Sequence, residues 1–68
     1  MDWKLIEASW QKYVGAAKLR WNKLSEEQIV ATRGRHAVLS ARVREAYGLT
    51  QPQSDFQLSE WASRQHAR

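Results

Sequence analysis

From Trp3 to Leu24 the apolar residues Trp3, Ile6, Trp10, Tyr13, Val14, Ala17, Trp21 and Leu24 recur at short, regular intervals. At ~100° per residue they share an arc of about 100°, the width of a helix face turned towards a core. Lys4, Lys12, Lys18 and Lys23 stay off that arc. The stripe predicts one helix from Trp3 to about Asn22, N-capped by Asp2. Gly15 is its weak point, because glycine inside a helix costs about 1 kcal/mol relative to alanine. A kink at Gly15 is the alternative, and the unbroken stripe favours continuity.

The stripe matters because little else can hold the chain together. With 68 residues and no cysteine, a small core has neither disulfides nor a thiolate metal site to supplement it. The chain has four tryptophans instead, Trp3, Trp10, Trp21 and Trp61, each able to bury ~150–250 Å². A single helical domain of modest stability over residues 1–68 is the expectation.

The stretch "WNKLSEEQI", Trp21 to Ile29, reads as the joint to a second helix. Ser25 and Gln28 form the S-x-x-Q pattern of a capping box, with Leu24 and Ile29 as a hydrophobic staple on either side. Glu26 and Glu27 fall in the first turn, where the helix dipole favours negative charge. As sequence neighbours the two acids do not converge on one substrate, so general acid–base chemistry is not read here. The second helix is short and ends at Gly34, which can take positive φ. A third runs from about Arg35 to Tyr47, burying Leu39, Val43, Ala46 and Tyr47. Gly48 ends it, with Leu49 as the hydrophobic partner of a Schellman motif. Thr50 and Gln53 repeat the capping box, and Pro52 sits in the first turn, where its missing N–H is harmless. The last helix runs to about Gln65 with Leu58 and Trp61 inward. Phe56 falls on its other side as a candidate surface contact.

Few functional classes find support. No apolar run approaches the ~18 residues of a membrane span, and charges at Asp2, Lys4 and Glu7 interrupt the N-terminal stretch, so it is not a secretory signal. The chain reads as cytoplasmic. Eleven Lys and Arg against seven Asp and Glu give +4, which permits weak attraction to nucleic acid or anionic lipid without requiring either. His36 and His66 stand far apart without carboxylates at ligand spacing, so no metal is expected; they read as helix-end or tail residues. Ser9, Ser40, Ser54, Ser59 and Ser63 show no nucleophile motif, and the scattered glycines make no phosphate loop. Trp10, Trp21 and Trp61 could stack on bases, but they lie on core faces. No cofactor and no enzymatic activity are expected.

One stretch, "TRGRHAVLSARVR" from Thr32 to Arg44, could bind anions. Arg33 and Arg35 bracket Gly34, and free N–H groups at the start of the third helix could hold a phosphate. Arg42 and Arg44 continue the charge. Weak, sequence-independent nucleic-acid binding through this Arg33–Arg44 face is the alternative to an ordinary solvated basic surface.

The ordered set Trp10, Gly15, Trp21-Asn22-Lys23-Leu24-Ser25-Glu26-Glu27, Gly34, Tyr47-Gly48 and Trp61 resembles the CsbD-like family of small bacterial proteins associated with the general stress response. The resemblance spans Trp3 to about Trp61. The chain departs from the family pattern at Ala8, Asn22 and Ser40, where glycine is usual, and at Val14, where lysine is. The resemblance implies an all-α, compact single-domain bundle of four or five short helices, similar to SAM-like domains. It also implies a non-enzymatic stress protein without an agreed mechanism, acting by interaction with, or protection of, other macromolecules. The partner is not specified, and a monomer is expected.

Overall fold

Residues 3–66 are described in the structure, a computed structural model. Among them the chain forms five helices and no strand: α1 (Trp3–Ala8), α2 (Trp10–Arg20), α3 (Glu26–Ala31), α4 (His36–Tyr47) and α5 (Gln51–His66). Asp2, the expected first cap, lies outside the described residues, as does the side chain of His66.

The predicted first helix is two. It continues through Gly15, as expected, but breaks at Ser9, whose φ of −117° and ψ of 37° leave the helical region. Two short-range bonds tighten the turn there: Ser9 N–H to Ile6 O at 3.2 Å and Lys12 N–H to Ser9 O at 2.9 Å. Packing accounts for the break. In a straight helix Trp3 and Trp10 would stand roughly 10 Å apart along the axis, whereas their ring centroids lie 6.4 Å apart. The bend lets both indoles reach the same joint, Trp3 donating to Gly34 O at 2.6 Å and Trp10 to Ile29 O at 3.0 Å. Serine, a weak helix former, yields at that position.

The remaining boundaries follow local chemistry. Both halves of the Ser25 capping box are present, Gln28 N–H to Ser25 Oγ at 3.1 Å and Ser25 N–H to Gln28 Oε1 at 2.9 Å. Thr50 and Gln53 reproduce the pair at the start of α5. Gly48 closes α4 at φ 65°, and Leu49 N–H reaches Arg44 O at 3.1 Å, the six-to-one bond of a Schellman motif. Helix α3 stops earlier than expected: Thr32 caps it, and both Arg33 (φ 57°) and Gly34 (φ 75°) are left-handed. Thr32, itself buried, ties the turn by donating its hydroxyl to Ile29 O at 2.7 Å and accepting from Gly34 N–H at 3.3 Å.

The helices share one apolar core. Trp61 of α5 stands at its centre, with ring centroids 5.9 Å from Trp3, 6.2 Å from Trp10, 6.2 Å from Tyr13 and 5.4 Å from Trp21. The contacts with Trp10 and Tyr13 are edge-to-face, the arrangement ring quadrupoles favour. Trp21 is fully buried and donates to Gln57 Oε1 of α5 at 3.1 Å. Leu39, Val43 and Leu58 complete the inner face as expected, while Ala46 and Tyr47 are half-buried rather than buried.

Candidate functional site

The arginines singled out in the sequence do not share one face. Arg33 and Arg35 flank Gly34 at the α3–α4 joint, both exposed, and together they line a shallow depression with Ala31 and Val38. Arg42 lies seven residues beyond Arg35, on about the same side of α4, and pairs with Glu45 at 3.5 Å. Arg44 is rotated by roughly 200° from Arg42 and borders a different groove, between α4 and α5, with Asp55 and His36. Gly34 itself is buried against Trp10 and has no surface to offer a ligand. What remains of the expected anion site is the start of α4, where Arg35 occupies the cap position without a side-chain hydrogen bond.

A groove of about 630 Å³ runs along the Ser9 break, with the ends of α1 and α2 on one side and Val30 and Arg33 on the other. Trp10, Val14 and Val30 supply apolar lining; Glu7, Lys12 and Arg33 supply charge. Two irregular backbone positions, Ser9 and the left-handed Arg33, border it. A non-glycine residue in that region costs about 1–2 kcal/mol, so the turn presenting Arg33 is held by its surroundings, chiefly Thr32.

Beside this groove lies the outer face of α3. Ile29 is the only residue of α3 that is buried. Val30, 47% exposed, and Ala31 face outward between Glu26 and Glu27 at one end and Arg33 and Arg35 at the other. The two acids and two arginines make no ion pair among the described residues. The sequence marked the acids as helix-start residues and missed this face. Its signal was the lone Ile29 in a helix too short to bury more.

Between α4 and α5 a polar network lies beside the apolar packing of Leu39, Val43 and Leu58. Ser40 Oγ lies 2.6 Å from Ser54 Oγ and donates to Asp55 Oδ1 at 2.6 Å, with both serines buried. The Ser40 hydroxyl joins the two helices. His36, at the start of α4, packs edge-on against Trp3 at 5.0 Å.

Fold and surface together define a small all-α protein in which a tryptophan cluster consumes the interior and the surface carries a mixed groove and a charge-segregated helix. The chain belongs to the UPF0337 family. It is 30% identical over 61 residues to a UPF0337 protein of Rhodopseudomonas palustris, covering 90% of this chain and 92% of that one. It is 27% identical over 64 residues to a UPF0337 protein of Bordetella pertussis, covering 94% and 97%. With the UPF0337 protein YjbJ of Escherichia coli K12 the identity is 25% over 60 residues, covering 88% and 87%. No family model and no solved structure matches the chain. No described helix is long and apolar enough to cross a membrane.

Proposed function

We propose that this chain is a CsbD-like bacterial general stress response protein that acts in the cytoplasm, without catalysis, through contacts its surface makes with other macromolecules. The observation that carries the reading is what the fold does with the residues of the resemblance. Trp10, Trp21, Leu24 and Trp61 are core. Ser25 caps α3, and Gly48 closes α4. The Tyr47 hydroxyl accepts from Lys23 N–H at 3.2 Å, with the Lys23 ammonium 5.0 Å from the centre of its ring. Gly34 makes room for Trp10. Residues spent on building a fold leave function to the surface. Transcript and protein levels under osmotic, starvation and stationary-phase stress test the assignment: induction is expected, and flat levels under all three overturn it.

A second reading rests on the start of α4, between Arg33 and Arg35. Open N–H groups and two guanidinium groups suit a phosphate backbone. With about two contacts, binding to duplex DNA would be weak and fall with salt at a log–log slope near −2, at ~0.9 per contact. Fluorescence anisotropy at low salt tests it; Arg33→Glu with Arg35→Glu abolishes the signal, and no binding by the parent ends the reading.

A further inference from the structure

We propose that the outer face of α3 pairs antiparallel with the same face of a second copy of this chain. The face is self-complementary. Along its axis the order is acid, apolar, base: Glu26 and Glu27, then Val30 and Ala31, then Arg33 and Arg35. Ala31 borders both the acidic-end and the basic-end depressions, so the three segments lie on one continuous strip. A two-fold axis through Val30 and Ala31 places the acids of one copy against the arginines of the other, at both ends at once, as an isologous interface requires. Parallel pairing would set like charges together and is excluded by the same arrangement. Val30 supplies the apolar centre, and none of the four charges has an ion pair among the described residues to give up.

The patch is small. Stable interfaces bury ~1,200–2,000 Å², more than a six-residue helix can provide on its own. The pairing is accordingly weak, with a Kd of roughly 10⁻⁴–10⁻³ M, in the range of transient encounters. It leaves the chain monomeric at micromolar concentration and dimeric near millimolar. Because the charged ends are exposed, added salt weakens it. This inference goes beyond the proposed function and stands or falls without it.

Sedimentation equilibrium of the whole chain at low salt tests the pairing. The weight-average mass should rise above 7.9 kDa as the concentration approaches about 1 mM. E26K/E27K makes the strip wholly positive and R33E/R35E makes it wholly negative. Each alone should weaken self-association at least tenfold, while an equimolar mixture of the two should associate more tightly than the parent. V30D leaves the charges in place and should also abolish self-association. Circular dichroism on each variant checks that the helices remain. A parent that stays at 7.9 kDa throughout, swapped variants that associate like the parent, or a mixture that does not associate would each overturn the proposal.

Discussion

Of the three glycines, Gly34 is the one an added Cβ would crowd, and replacing it with alanine tests how the α3–α4 joint is built. A Cβ there would stand 3.0 Å from both Cδ2 and Cγ of Trp10 and 3.1 Å from the Glu7 Cα. It would also force alanine to φ 75°, which costs about 1–2 kcal/mol for an L-residue. Neither obstacle is soft. Trp10 is locked by its bond to Ile29 O and by Trp61, and the Glu7 contact is backbone. Overpacking of this kind adds ~1–3 kcal/mol, so Gly34→Ala should cost roughly 2–5 kcal/mol. At ~4–8 °C per kcal/mol for a domain of this size, the melting temperature falls by at least about 8 °C. Gly48→Ala separates the two terms, since Gly48 has φ 65° but open space around its Cβ position; only the ~1–2 kcal/mol backbone cost applies. Gly15, helical with open space, should gain up to about 1 kcal/mol as alanine. Thermal melts followed by circular dichroism give the order Gly15→Ala above parent, then Gly48→Ala, then Gly34→Ala. Equal losses at Gly34 and Gly48 would refute the steric argument.

Trp21→Ala should cost roughly 3–5 kcal/mol, the range for aromatic truncation in a core, and a parental melting temperature would contradict its burial. Ser25→Ala removes the hydroxyl that caps α3 and should cost about 1 kcal/mol, read as a melting shift of several degrees. Ser40→Ala removes the hydroxyl that bonds α4 to Ser54 and Asp55 of α5, while Ser54 keeps its bond to Gln51 O; the expected loss is about 1–2 kcal/mol, and an unchanged melt would show that the network contributes nothing to stability.

Local signals in the sequence were reliable where a few neighbouring residues decide the outcome. The two S/T-x-x-Q boxes, the Gly48 stop and the inward Trp10, Trp21, Leu58 and Trp61 needed only spacing and side-chain chemistry. The break at Ser9 was not legible. The stripe is continuous across it, and the cause lies in the distant carbonyls of Ile29 and Gly34 that the two indoles seek. The same limit hid the left-handed Arg33, imposed by a buried Thr32 whose partners appear only once the joint is closed. Four arginines in one stretch suggested one basic face. Helix rotation separates Arg44 from Arg42, and Glu45 engages Arg42. The α3 face escaped notice because its meaning depends on Ile29 alone turning inward.

In the proposed reading the interior makes the fold and the exposed surface makes the function. A competition assay under osmotic and stationary-phase stress tests it most directly. A gene-deletion strain of the native host is complemented either with the parent or with Val30→Asp/Arg33→Glu/Arg35→Glu, which changes only exposed side chains. Protein abundance and the helical signal of each form are checked alongside. The deletion strain should be outcompeted, the parent should restore it, and the surface variant should not, despite parental abundance and fold. Full restoration by the surface variant would contradict this reading.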